Sequence, residues 1–191
     1  MARPRQFDPD AALDAAQRVF HARGYHATSV QDLVEATGLS RSSLYGAFGD
    51  KHALFLAVLD RYADAGRVAA ESACGGLSPR DAIRAVLEQS ARAGDVPGCL
   101  LVNAAAECGA RDPDTAARAA AGLRAMTDRF EVLVRDAQAA GEVDGSRPAP
   151  ALAPFLTGVV YGLRALQTSG AGADALASVV EETMAALGRA G

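Results

Sequence analysis

Tryptophan is absent from this chain, and aromatic residues of every kind make up only 5% of it. A core built on large rings is therefore excluded. Lysine is almost missing too: Lys51 is alone among 18 arginines. The net charge is -4, which argues against a protein that coats nucleic acid by bulk positive charge. The three cysteines, Cys74, Cys99 and Cys108, form no CxxC pair. An odd number without that spacing predicts neither a disulfide framework nor a zinc site and suits a reducing, cytoplasmic setting. His21, His26 and His52 stand at no metal-ligand spacing, so no metal and no cofactor are expected. No uninterrupted apolar run approaches the roughly 18 residues of a membrane span. The opening MARPRQFDPD has no apolar stretch long enough for a signal peptide. There is no GxSxG, P-loop or HExxH, and no carboxylate pair set among apolar residues, so an enzyme is not expected.

What is abundant is alanine and leucine. Half of the 191 residues are hydrophobic, enough for a sizeable core. Alanine is the best helix former and leucine follows closely, so the chain reads as all-α. A first helix is predicted from Pro9 to Arg23, capped by Asp8 and stopped by Gly24, with Ala12, Leu13, Ala16, Val19 and Phe20 inward. Thr28 or Ser29 caps a short helix through Ala36. Gly38 and Leu39 make a tight turn, and Ser40 caps a second short helix to about Phe48. A longer helix starts at Lys51. Five more are expected: after Ser78–Pro79 to near Gly94, about Gly98 to Gly109, Asp112–Pro113 to before Gly141, about Ala149 to Ser169, and about Ala173 to Arg189. The segment GEVDGSRPAP is a turn-rich connection.

Residues 24–55 carry the functional signal. Two short helices joined by a glycine-containing turn, with longer helices on both sides, form a helix-turn-helix whose second member is sized for a major groove. Its outward residues, Arg41, Ser42, Ser43 and Gly46, are small or positively charged, and Arg41 is suited to a bidentate contact with guanine. Tyr45, Thr28 and Lys51 are positioned for phosphates, the last two at helix starts where N–H groups favour anions. Tyr45, Lys51 and Ser40 have plainer readings: a core aromatic, a solvated charge and a helix cap. Charge is placed locally, since residues 1–52 hold six basic and six acidic side chains, and the remainder 13 basic against 17 acidic. Arg3 and Arg5 fit a minor-groove arm or a tail without a role.

The run GY-A-TSV-DL---TGLS--SLY--FGDK--LF, covering roughly residues 10–60, closely resembles the N-terminal domain of TetR-family transcriptional regulators. The resemblance implies about nine helices: a DNA-binding domain over 1–52 and a helical effector-binding and dimerisation domain over 53–191. It also implies base or phosphate contacts at Thr28, Ser40, Arg41, Ser42, Ser43, Tyr45 and Lys51. Gly46-Ala47 departs from the aromatic and histidine found after the tyrosine in many members, which shifts readout toward Arg41, Ser42 and Ser43.

Further on, GCLLVNAAAECGAR sets Cys99, Asn103, Glu107 and Arg111 every four residues along one helix face, with Cys99 in the first turn. This reads either as a sensing face or as a packed cysteine, a packing asparagine and a Glu107–Arg111 ion pair. Tyr62, Met126, Phe130, Phe155 and Tyr161 complete the candidates for lining an effector pocket, with plain core as the alternative. The last two helices are broadly apolar, with Gly158 and Gly162 four apart, and predict a four-helix dimer interface. The expected partners are operator DNA, a second copy of the chain and a small hydrophobic or reactive effector, with no membrane. A helical protein-interaction module is the competing reading.

Overall fold

The computed structural model describes residues 7–92 and 98–188, and among them are nine helices and no strand. They are α1 (Pro9–Arg23), α2 (Val30–Thr37), α3 (Arg41–Phe48), α4 (Lys51–Cys74), α5 (Pro79–Ala91), α6 (Leu100–Cys108), α7 (Pro113–Ala139), α8 (Ala149–Thr168) and α9 (Ala173–Ala186). Arg3 and Arg5 lie outside the described residues.

The helix limits follow from local chemistry. Asp8 accepts the N–H of Asp10, and Pro9 occupies the first position, where a missing N–H costs nothing. Gly24 ends α1 at φ 79°, ψ 174°, a region essentially restricted to glycine. Of the two candidate caps for α2, the structure uses Ser29. Its hydroxyl accepts the Asp32 N–H while the Asp32 carboxylate accepts the Ser29 N–H, a reciprocal capping box. Asp112 caps α7 by accepting N–H groups from Asp114 and Thr115.

The chain forms two compact units. The first comprises residues 1–64 and 100–120, the second 65–99 and 121–191. α4 runs unbroken through the expected boundary at 52/53, and the first unit also takes in α6 and the start of α7. In that unit Phe20, Leu33, Leu44, Leu54, Phe55, Val58 and Leu59 are almost fully buried. Burial of each such side chain contributes about 1.5–3 kcal/mol relative to exposure. The Phe20 and Phe55 rings meet at 4.9 Å, and Tyr25 lies 4.8 Å from Phe55. α1 packs on α2, and α2 on α3.

In the second unit α5, α8 and α9 pack together around Ile83, Leu87, Phe130, Val134, Leu152, Leu156, Leu163, Val180 and Met184. α8 is long and apolar enough by composition to cross a membrane. Here its Leu152, Leu156, Val160 and Leu163 are core residues, whereas Phe155 and Leu166 are exposed. Arg80 fastens the far end: its guanidinium donates to the carbonyls of Glu142, Gly188 and Met184, the last an orphan carbonyl in the final turn of α9.

The sequence expectation fails at one helix start. α6 begins at Leu100, so Cys99 precedes it and is buried, rather than standing in the first turn on one face with Asn103 and Glu107. Gly98 at φ 102° bends the chain there. The helix ends at Cys108, short of Arg111, and Glu107 turns to other partners.

Candidate nucleic-acid interface

α2, the turn and α3 form the bent pair. Gly38 at φ 67°, ψ 9° takes the left-handed conformation, and its N–H donates to Val34 O at 3.0 Å, closing α2. The Thr37 hydroxyl accepts the Leu39 N–H and donates to Leu33 O, bracing the turn. Leu33 from α2 and Leu44 from α3 are buried on the inner side and set the pair's crossing.

What α3 turns outward is polar and small. Arg41, Ser42, Ser43 and Gly46 are exposed, and an added Cβ at Gly46 would meet nothing within 4 Å. Ser40 caps α3 by accepting the Ser43 N–H at 3.1 Å. Its hydroxyl also lies 3.0 Å from that of Ser42 and 2.9 Å from that of Ser43. The three serines thus form one hydroxyl cluster at a helix start, with donors that can rotate toward an anion. The Arg41 guanidinium rests 5.5 Å from the Tyr45 ring centroid, a cation–π contact on the exposed side of α3. Tyr45 is half-buried.

Of the phosphate candidates, Thr28 departs from expectation. Thr28 is only 1% exposed, and its hydroxyl donates to Gly24 O at 2.6 Å. That side chain closes the α1–α2 connection from within and offers no hydroxyl to a phosphate. Lys51 is half-buried rather than fully solvated, its ammonium 4.4 Å from the Tyr25 ring centroid. Burial pulls its pKa down, and the Glu107 carboxylate and neighbouring acids oppose that shift.

The connection is held by residues that sequence reading did not assign to it. The two carboxylate oxygens of Glu107 accept the N–H groups of Tyr25 at 2.9 Å and His26 at 2.7 Å. Gly24 permits this approach, since an added Cβ would meet Glu107 Oε2 at 2.6 Å. Nearby, His52 Nε2 lies 2.7 Å from Asp112 Oδ2. The Thr115 hydroxyl and N–H, with His52, hold the Asp112 carboxyl down to about 2. Burial pushes the Cys108 thiol up, reinforced by Glu107 and Asp112. The Ser29–Asp32 box is legible in sequence as Ser-x-x-Asp. Nothing local signals Glu107, which lies 82 residues from Tyr25.

The effector candidates divide between the units. Tyr62, Asn103 and Glu107 belong to the first, Cys99, Met126, Phe130, Phe155 and Tyr161 to the second. Phe130 is fully buried core, whereas Phe155 is 41% exposed. Phe155 lines an apolar cleft with Val159 and Val179 on the outer side of α8 and α9. A larger opening of about 720 Å³ lies among α5, α8 and α9, bordered by Glu88, Arg92, Gln167, Leu176 and Glu181.

Comparison with known proteins gives a consistent result. The family model described as "Bacterial regulatory proteins, tetR family" matches residues 12–58, and that described as "Tetracyclin repressor-like, C-terminal domain" matches 79–187. The chain is 35% identical to the HTH-type transcriptional repressor ComR of Escherichia coli, covering 95% of this chain and 90% of that one. It is 32% identical to the HTH-type transcriptional repressor Rv1474c of Mycobacterium tuberculosis, over 88% and 87% of the two chains. Among solved structures, a cysteine mutant of the TetR family transcriptional regulator CifR, complexed with 26-base-pair double-strand operator DNA, superposes with a TM-score of 0.86. The identity is 30%, and 97% of this chain and 100% of that one are covered.

Proposed function

The chain belongs to the TetR family of bacterial regulatory proteins and is a DNA-binding transcriptional repressor; from that premise we propose how it reads and releases its operator. Residues 1–52 act as the reading domain, residues 53–191 as the effector-binding and dimerisation domain. α3 enters the major groove with Arg41, Ser42 and Ser43 toward base edges. Ser40, Tyr45 and Lys51 contact phosphates. The observation that carries this is the outward face of α3: a guanidinium, two serines and a glycine with open space beyond it, on a helix whose inner residue Leu44 is fixed in the core.

The reading continues to assembly and release. Two copies pair through α8 and α9, a role supported by the exposed Phe155 and Leu166 and by open space around Gly158 and Gly162. The dimer presents two copies of α3 about 34–36 Å apart to a pseudo-palindromic operator in the cytoplasm. A small hydrophobic or thiol-reactive effector binds the 53–191 domain, favours a state whose α3 spacing no longer fits, and releases the DNA. It does so only by binding that state more tightly. A band-shift assay with the DNA upstream of the protein's own gene tests the reading. Retardation at low salt is expected, and its absence refutes operator binding.

A further inference from the structure

A side chain from the α1–α2 connection meets two neighbouring ones where α6 ends. His26, on the α1–α2 connection, lies 81 residues from Glu107 yet donates its N–H to that carboxylate at 2.7 Å. Cys108 follows Glu107 in the last turn of α6 and is 5% exposed. An imidazole nitrogen, a carboxylate oxygen and the Cys108 sulfur all lie within 4.8 Å of one another. We propose that His26, Glu107 and Cys108 form a binding site for a thiophilic divalent cation, zinc(II) by its donor set, which pins the α1–α2 connection to the end of α6.

The donor set selects the ion. Magnesium and calcium take oxygen ligands, and copper(I) favours sulfur and nitrogen and leaves the carboxylate idle. One thiolate, one imidazole and one carboxylate suit zinc(II), with a fourth position left for water or a small ligand. The carboxylate keeps acceptor capacity for an ion. The N–H groups of Tyr25 and His26 each occupy one lone pair of a different oxygen and leave the other free. Ligands around a tetrahedral zinc stand about 3.5 Å apart, so binding draws these atoms together by about an ångström. The exposed His26 and Glu107 side chains have room for that movement.

One group opposes the ion. The Lys51 ammonium lies 4.4 Å from the Tyr25 ring centroid, and its charge is felt at both Glu107 and Cys108. Its flexible four-carbon stem lets the ammonium swing outward when a cation enters. The connection leads directly into α2, so ion occupancy and operator affinity are reciprocally linked. That linkage rests on the repressor reading, whereas ion binding does not, and the two are tested apart.

The test uses the full chain, reduced and stripped with a chelator, then titrated with cobalt(II) and zinc(II) in the absence of DNA. One equivalent of cobalt is expected to produce a sulfur-to-cobalt charge-transfer band that zinc abolishes by displacement. Cys108→Ser and His26→Ala should each weaken zinc binding by more than about 100-fold, beyond the loss typical of an outer-shell partner. Cys74→Ser and Cys99→Ser should leave it unchanged, and Lys51→Met should tighten it. His26 is exposed, so His26→Ala carries the test even where Cys108→Ser fails to fold. Absence of the band, its persistence in Cys108→Ser, or unaltered affinity in His26→Ala overturns the site.

Discussion

The Glu107–Gly24 contact makes a prediction whose size follows from the structure. Glu107→Ala removes the acceptor of two N–H groups, from Tyr25 and His26. Both N–H groups can recover water, so the loss is about 0.5–1 kcal/mol each, or about 1–2 kcal/mol together. Gly24→Ala costs more, for two reasons. The backbone at φ 79°, ψ 174° suits glycine alone, a strain of about 1–3 kcal/mol for alanine. The new Cβ would also stand 2.6 Å from Glu107 Oε2, so the carboxylate must move and give up the same two bonds. The Gly24→Ala cost therefore contains the Glu107→Ala cost. The double variant should be no less stable than Gly24→Ala alone, which gives a coupling of about 1–2 kcal/mol in favour of the double variant. Urea unfolding of the four proteins, followed by far-UV circular dichroism, measures the cycle. Additivity within about 0.5 kcal/mol would show that the new Cβ leaves the Glu107 bonds intact and that Gly24 is glycine for backbone reasons only.

Further tests address the other assignments. Arg41→Ala should relax base preference at one operator position by about 1–3 kcal/mol. Lys51→Ala should weaken binding to all sequences alike and lower the salt dependence by about one phosphate contact; titrations at several salt concentrations separate the two, and unchanged binding in both variants defeats the contact assignment. Asp112, held down to about 2, stabilises the fold fully above the unfolded carboxyl value near 4 and loses that contribution as pH falls toward 2. Its partial exposure reduces the effect to about 1 kcal/mol. The melting temperature of Asp112→Asn should thus lie below that of the parent at neutral pH and approach it between about pH 4 and pH 2, and a constant gap down to the lower pH would contradict the ascribed ionisation. If α8 and α9 pair as proposed, Phe155→Asp should give a monomer at micromolar concentration by light scattering, because it places an unpaired charge on that exposed apolar surface; an unchanged dimer mass would place the contact elsewhere.

Helix existence and most helix ends could be read from the sequence because they are set by contacts a few residues apart. Asp8, Ser40, Ser78 and Pro9 act on the next turn, and Gly24 and Gly38 supply conformations other residues avoid. The outward face of α3 was legible for the same reason: apolar Leu44 and Phe48, four apart, mark its inner side, and Arg41, Ser42 and Ser43 are exposed. Thr28 was misassigned because its place in the chain, one residue before the cap, looks the same whether the hydroxyl points to solvent or back to Gly24. Cys99 was put on a helix because Gly98 gives no sign in sequence of whether it starts the helix or, as at φ 102°, bends the chain before it.

The sequence by itself determined nine helical segments, a short pair joined by a glycine turn, and the polar surface of the second of them, all consequences of periodicity and capping over less than a turn or two. Only the tertiary structure decided that α6 belongs in the same compact unit as that pair, that Glu107 serves as acceptor for a connection 82 residues earlier, and that a histidine, a carboxylate and a thiol meet there. Such meetings depend on how buried faces stack across the whole chain. A residue's spacing from its neighbours carries no record of which distant backbone its side chain will reach.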